Sequence, residues 1–141
     1  MRTRPVSELI RGQNLLALPP ETTIRHASER MLDRRVGCVV VTDAERRLLG
    51  IFTERDALYR VLAKGLDAET TTLGQVMTAM VSTIAPKAMA IEALRMMHDG
   101  GFRHVPIVAD GVVLGVVSRS DFKGEERTRL EEETSMFEAV R

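Results

Sequence analysis

Leu49–Asp56 reads LGIFTERD, and Leu114–Asp121, 65 residues further along the chain, reads LGVVSRSD. Both stretches follow the pattern Gly-x-x-Ser/Thr-x-x-Asp. Upstream of them the correspondence continues at an offset of 66 residues, which pairs Pro20 with Pro86, Ala27 with Ala93, Met31 with Met97, Asp33 with Asp99 and Val39 with Val105. An ordered series of equivalent residues of this length indicates that the chain is an internal duplication.

The first copy predicts the elements β-α-β-β-α. After a short apolar stretch, a helix begins that Thr22 or Thr23 can cap, and Val36–Val41 is a β-branched run typical of a strand buried on both faces. A polar turn leads to a second strand over Leu48–Thr53, and Glu54–Ala63 is predicted to be helical. In that helix we expect four apolar side chains to face the core, those of Ala57, Leu58, Val61 and Leu62.

The second copy predicts the same order of elements. A helix is expected over Ala88–Met97, followed by strands over Phe102–Val108 and Val112–Ser118. The Asp110-Gly111 pair between these strands is typical of a tight hairpin turn. A last helix is expected to begin at Arg119.

The two copies predict the fold class. A single copy of roughly 60 residues buries too little surface to be stable alone, and two copies packed together solve this. We therefore expect an α+β (α/β-like) chain of two β-α-β-β-α repeats packed with pseudo-twofold symmetry. The expected boundaries are 5–64 for the first repeat, 65–72 for a polar linker, 73–125 for the second repeat and 126–141 for a charged C-terminal helix or tail.

Composition excludes several classes of protein. The 141 residues carry no net charge, which disfavours a general nucleic-acid binder, and 44% hydrophobic with 28% charged residues is ordinary for a globular chain. No apolar run approaches the roughly 20 residues that span a bilayer, so we expect no membrane association. The N-terminal residues lead into no apolar signal segment, and the expected location is the cytoplasm.

With both strand-end patterns in place, the chain resembles a tandem pair of cystathionine-β-synthase (CBS) domains, the Bateman module. The resemblance covers roughly residues 5 to 125 and includes a further stretch, RHVPIV over Arg103–Val108. It implies a regulatory module that binds adenosine-containing ligands such as AMP, ADP or ATP, or NAD or S-adenosylmethionine, in clefts between the repeats. It also implies a homodimer and a regulated partner protein, which the sequence does not identify.

The strand-end pattern suits a nucleotide for physical reasons. The hydroxyl of Thr53 or Ser118 can cap a helix, and Asp56 or Asp121 follows in the first helical turn, where the helix dipole stabilises a carboxylate. A carboxylate can accept both ribose hydroxyls, and exposed N–H groups of the same turn favour a phosphate. A plain helix cap is the alternative interpretation of the same pattern.

Cations beside the pattern are candidates for phosphate contact. Arg55 and Arg119 follow the capping residues, and Arg103 with His104 lies at the start of a strand that lines the cleft in the resemblance. The matching positions in the first repeat are Gly37 and Cys38, so we expect two non-equivalent clefts. The predicted nucleotide-binding residues are Thr53, Arg55, Asp56, Arg103, His104, Ser118, Arg119 and Asp121.

Catalysis and metal binding have little support in the sequence. The three histidines have no metal-ligand spacing, and Cys38 lies in a β-branched run typical of a buried strand. We expect no enzyme activity, no metal site and no covalent cofactor, with an adenine nucleotide as regulatory ligand. The alternative is an interaction or scaffold protein of the same fold that binds no small molecule.

Overall fold

The computed structural model describes residues 4–122 together with Glu131 and Glu132. The described helices and strands are, in chain order, α1 (Val6–Leu9), β1 (Ala17–Leu18), α2 (Ile24–Arg34), β2 (Cys38–Thr42), β3 (Leu48–Thr53), α3 (Glu54–Asp56), a π-helical stretch (Ala57–Leu62), α4 (Leu73–Val76), α5 (Ala90–Gly100), β4 (His104–Ala109), β5 (Val112–Ser118) and a 3-10 turn (Arg119–Asp121). The α+β fold class is confirmed. The tail predicted over 126–141 lies outside the described residues except for Glu131 and Glu132, which are helical and exposed.

The chain divides into two compact units. The first-repeat unit contains residues 14–82 and 108–114, and the second-repeat unit contains residues 4–13, 83–107 and 115–122 of the described chain. These units are not the sequence repeats themselves. Residues 5–13 precede the strands of the first repeat but belong to the second-repeat unit. Residues 73–82 precede the strands of the second repeat but belong to the first-repeat unit.

A three-stranded sheet forms the centre of the first-repeat unit. Strand β1 pairs parallel with β2, and β2 pairs antiparallel with β3 in the register Val39↔Phe52. The predicted strand Val36–Val41 begins two residues late, because the left-handed conformation of Arg35 and the bond from Val36 N–H to Met31 C=O (3.0 Å) still belong to the end of α2. Burial of β2 on both faces is confirmed, since Val39, Val40 and Val41 are all inaccessible to solvent.

Helix α2 begins as the sequence predicts. The hydroxyl of Thr23 accepts the backbone N–H of His26 at 3.2 Å, which satisfies one of the amides that a helix leaves unpaired at its start. Its buried face consists of Ile24, Ala27 and Met31, at helical spacing. These side chains pack in one core cluster with β2 and β3.

The second repeat keeps the same design with a shorter sheet. Strands β4 and β5 form a two-stranded sheet, and a single parallel bridge, Ile84↔Ile107, stands where β1 pairs with β2 in the first repeat. The predicted Asp-Gly turn is confirmed, because Asp110 and Gly111 both adopt positive φ angles, 52° and 80°. Helix α5 buries its apolar face, including Leu94 and Met97, against this sheet.

Helices α1 and α4 come before the first and the second repeat in the sequence, and we call them the lead helices. Each packs in the unit of the other repeat. In the second-repeat unit, Val6 of α1 is fully buried, and its N–H donates to Ala88 C=O at 2.8 Å. In the first-repeat unit, Leu73 of α4 is fully buried, and its N–H donates to Thr22 C=O at 2.9 Å. The duplication therefore extends to the exchange of lead helices, and neither core is complete without a segment from the other side of the linker.

The helix predicted over Glu54–Ala63 differs from expectation. Six of its residues, Ala57–Leu62, are π-helical, with Ala63 N–H donating to Leu58 C=O at 2.9 Å, a bond across five residues. The wider turn changes which side chains face the core. Val61 is buried as predicted, but the expected burial of Leu58 and Leu62 is wrong, since these residues are 49% and 73% exposed. The helix expected from Arg119 is a 3-10 turn as far as it is described.

Candidate functional site

Both Gly-x-x-Ser/Thr-x-x-Asp patterns form the same turn from strand to helix. The Thr53 N–H donates to Asp56 Oδ2 at 2.9 Å, and the Ser118 N–H donates to Asp121 Oδ2 at 2.7 Å. In the first repeat the Asp56 N–H also donates to the Thr53 hydroxyl at 3.3 Å, which completes a capping box. The plain capping role is thus present in this structure, and it fixes each carboxylate at the end of a strand.

A backbone bond also joins each turn to the residue that immediately precedes the first strand of its hairpin, β2 or β4. Arg119 N–H donates to Arg103 C=O at 3.0 Å, and at the matching place Glu54 N–H donates to Gly37 C=O at 3.0 Å. The same bond, across 16 residues in the second repeat and 17 in the first, shows that the two turns are structural equivalents. It also explains why residues about 16 positions apart in each repeat come together.

The second-repeat unit brings five of the eight predicted residues together. We call this set the second half-site, and it consists of Arg103, His104, Ser118, Arg119 and Asp121. Arg103 and Arg119 are exposed, whereas His104, Ser118 and Asp121 are half-buried. The arrangement combines a carboxylate held at a strand end with exposed guanidinium groups beside it.

Sequence reasoning missed Arg4 at the second half-site. Its Nη2 donates to the backbone C=O of Asp121 at 3.1 Å, across 117 positions of sequence. Arg4 precedes α1, so it reaches this turn only because that lead helix packs in the second-repeat unit. No local pattern in the sequence could have found the contact.

The matching set in the first-repeat unit is the first half-site, which consists of Gly37, Cys38, Thr53, Glu54 and Asp56. Here a second arginine that the sequence did not single out lies against the carboxylate, with Arg60 Nε 3.5 Å from Asp56 Oδ1. The Nη1 atom of Arg60 also donates to the carbonyls of Val76 and Met77, both at 3.3 Å. Both Asp56 oxygens thus have partners within the chain.

The predicted residue Arg55 lies over an aromatic ring. Its guanidinium carbon is 5.6 Å from the centroid of the Tyr59 ring, one helical turn further on. This is a cation–π contact on the surface of the helix. The position that matches Arg55 in the second repeat is Ser120, whose hydroxyl lies 2.8 Å from that of Ser118.

Cys38 stands where the second half-site has His104. Desolvation by burial raises the pKa of its thiol well above the ordinary range, and the charge of Asp56 acts in the same direction. A thiol that resists ionisation is a poor nucleophile and a poor metal ligand. Within residues 4–122, no three His, Cys, Asp or Glu side chains gather into a group that could hold a metal ion.

The two pattern glycines lie where another segment approaches the strand. A Cβ at Gly50 would lie 2.8 Å from the carbonyl oxygen of Thr78, and one at Gly115 would lie 2.8 Å from Gln13 Oε1. The sequence predicted a close approach by backbone or by a ligand. The approaching groups are the segments that follow the lead helices, so glycine at these positions serves packing.

An open cavity of about 500 Å³ lies in the first-repeat unit. Its lining residues are Ser28, Met31, Leu32, Arg35, Val36, Gly37, Glu54 and Ala57. None of the eight predicted nucleotide-binding residues lines it, but Gly37 and Glu54 of the first half-site do. Among the described helices, none combines the length and the apolar character needed to cross a bilayer.

Comparison with known proteins identifies the family. The model of the CBS domain matches residues 6–63 and 73–126. A CBS domain-containing protein of Arabidopsis thaliana is 37% identical over 108 residues, which is 77% of this chain but 20% of that protein, so the chain spans about a fifth of this relative. An uncharacterized protein of Methanopyrus kandleri is 30% identical over 142 residues, covering 98% of this chain and 72% of that one.

Solved structures agree with the family model. A CBS domain protein from Pyrobaculum aerophilum, complexed with AMP, superimposes with a TM-score of 0.81 at 27% identity, covering 92% of this chain and 99% of that one. A CBS-domain-containing protein from Agrobacterium tumefaciens gives a TM-score of 0.75 at 30% identity, with 84% and 95% coverage. The duplicated strand-end turns, the exchanged lead helices and these similarities lead to one conclusion: the chain belongs to the CBS domain family.

Proposed function

We propose that this chain is a regulatory module that binds an adenine nucleotide through its second half-site and transmits the occupancy to a partner protein. The observation that carries the proposal is the Asp121 carboxylate, held by Ser118 N–H at 2.7 Å beside Arg119, whose own N–H bonds Arg103 at 3.0 Å. A nucleotide presents two hydroxyl donors on its ribose and a negatively charged phosphate. The second half-site offers an acceptor for the first and cations for the second.

The carboxylate of Asp121 retains capacity for a ligand. An ionised carboxylate has about four acceptor sites, and the bonds from the Ser118 N–H and hydroxyl both use Oδ2. The ribose diol would bond the carboxylate, and Arg103, His104 and Arg119 would contact phosphate oxygens. The AMP complex of the Pyrobaculum aerophilum protein supports the same class of ligand here.

A thermal-shift series tests the proposal. Purified chain is titrated with AMP, ADP, ATP, NAD and S-adenosylmethionine, with inorganic phosphate at equal ionic strength as control. We expect a dose-dependent rise in Tm with at least one adenosyl ligand and none with phosphate alone, because selective binding to the folded state stabilises it. Asp121→Asn should remove the rise. The absence of any shift at millimolar ligand would contradict the proposal.

A second candidate is an interaction module that binds no small molecule. It is favoured by large apolar side chains that remain exposed in the first-repeat unit, such as Leu32 (76% exposed) on α2 and Tyr59 on the π-helical stretch. Self-association into a homodimer would cover such side chains. Sedimentation equilibrium of the wild type and of Leu32→Asp tests this: we expect a dimer that the substitution weakens. A dimer without any nucleotide-induced shift would favour the second candidate.

A further inference from the structure

The two half-sites place opposite charges on equivalent backbone positions. The shared bond from turn to strand start aligns Glu54 with Arg119 and Gly37 with Arg103. The first half-site therefore has one negative charge where the second has two positive charges. Since phosphate binding depends on cations, Glu54 disfavours a phosphate at the position where Arg103 and Arg119 favour one.

The Glu54 carboxylate also lies against the residue that precedes β2, at the edge of the open cavity. A Cβ built at Gly37 would lie only 2.8 Å from Glu54 Oε1. The anionic oxygen thus lies against the position from which, in the second repeat, the side chain of Arg103 begins.

Arg60 competes with a ribose for the Asp56 oxygen that Thr53 leaves open. Asp56 Oδ2 accepts the N–H and the hydroxyl of Thr53 at 2.9 and 3.2 Å, and Oδ1 faces Arg60 Nε at 3.5 Å. Two bonds from Nη1 to the carbonyls that end α4 hold the guanidinium in this position. The residue that matches Arg60 in the second repeat is Glu125, so the sequence provides no arginine there.

We propose that Glu54 and Arg60 close the first half-site to phosphorylated nucleotides, so that one chain binds one nucleotide, through its second half-site. The inference rests on the proposed function. It assigns a role in ligand specificity to two residues that the Gly-x-x-Ser/Thr-x-x-Asp pattern does not specify. Glu54 excludes the phosphate by charge. Arg60 excludes the ribose by contacting Asp56 Oδ1. The Asp56 carboxylate in turn neutralises the positive charge of Arg60.

Isothermal titration with ADP tests the inference through stoichiometry. The wild type is expected to bind one ADP per chain. The double variant Glu54→Arg/Arg60→Gln restores a cation at the phosphate position and releases Asp56 Oδ1, so it is expected to bind two. The matched control is Arg25→Gln/Glu29→Gln, which removes another exposed helical ion pair with a 2.8 Å contact and is expected to keep one ADP per chain.

The outcomes separate this inference from the proposed function. A wild type that binds two ADP, or a folded double variant that still binds one, overturns the inference and leaves the proposed function standing. A wild type that binds no adenine nucleotide overturns the proposed function and the inference with it. If the double variant does not fold, as a melting curve would show, Glu54→Gln/Arg60→Gln decides, because it removes both obstacles with uncharged side chains: a second binding event supports the inference, and its absence in the folded variant overturns it.

Discussion

The side chain of Gln13 pairs with the backbone of Val116 as a neighbouring strand would. Its Nε2 donates to Val116 C=O at 2.8 Å, and its Oε1 accepts Val116 N–H at 2.9 Å. At the equivalent place in the first repeat, the backbone of Thr78 exchanges both bonds with Ile51, each at 2.9 Å. Residues 13 and 78 are separated by the same 65 positions as 51 and 116, so a side-chain amide replaces a peptide group in the same packing role.

Substitution of Gln13 should therefore destabilise the second-repeat unit. Val116 is only 8% exposed, and Gln13→Ala would leave its N–H and C=O without partners. We expect a loss of about 1–3 kcal/mol in the free energy of unfolding, the cost of unsatisfied buried polar groups. Urea denaturation measures it. Gln13→Glu keeps the acceptor but not the donor, so its free energy of unfolding should lie between those of the wild type and Gln13→Ala. If Gln13→Ala were as stable as the wild type, the Gln13 amide would not stabilise this unit.

The order of elements could be predicted from the sequence because local signals determine it. The duplicated pattern, the β-branched run and the Asp-Gly pair each act over a few residues. The exchange of α1 and α4 between units could not be predicted, since it depends on long-range pairing such as Val6 with Ala88. The Gln13 contact could not be predicted for the same reason, because no residue near Gln13 in the sequence indicates that its side-chain amide pairs with the backbone of Val116.

The ends of α2 and α5 offer a reciprocal test of the duplication. Arg35 ends α2 with φ 54°, and Gly101 ends α5 with φ 70°, at the matching position. A side chain is strained in this left-handed conformation, whereas glycine is not. Arg35→Gly should raise the free energy of unfolding by about 0.5–1 kcal/mol, and Gly101→Ala should lower it by about 1 kcal/mol. Equal denaturation midpoints for wild type and both variants would contradict this.

The π-helical stretch predicts a contrast between two adjacent residues. Val61 is 5% exposed and Leu62 is 73% exposed. Val61→Ala should cost about 2 kcal/mol, from two buried methyl groups and the cavity they leave. Leu62→Ala should change the free energy of unfolding by less than about 0.5 kcal/mol, as surface substitutions do. A larger loss at Leu62 than at Val61 in the same denaturation experiment would mean that a regular α-helix better describes this segment.

The sequence predicted the turns that hold the two aspartates, but not all of the arginines that contact those aspartates. The pattern residues Thr53 and Asp121 form the turns that their spacing predicts. Two arginines that contact the aspartates were missed. Arg4 contacts Asp121 because it precedes α1, which packs in the second-repeat unit. Arg60 contacts Asp56 because it lies one helical turn further along the chain. Sequence alone therefore predicted non-equivalent sites without revealing that the first carboxylate already has a cation.

The thiol of Cys38 makes stability depend on pH in the alkaline range. Because burial and the Asp56 charge raise its pKa in the folded state, the folded protein retains the proton that the unfolded chain releases above its ordinary pKa. The unfolded state then binds fewer protons than the folded state, and stability falls as pH rises. Its contribution is complete below pH 8 and is lost as pH rises further.

We expect the free energy of unfolding of the wild type, relative to Cys38→Ala, to decrease by about 2 kcal/mol between pH 7 and pH 10, given an unfolded thiol pKa of about 8.5. Urea denaturation of both proteins at each pH measures the difference, and groups common to both cancel. A thiol-reactive dye supplies an independent check: at pH 8 the folded protein should react far more slowly than the protein in urea. A constant difference between wild type and variant, with rapid labelling of the folded state, would mean that the thiol ionises normally and is accessible.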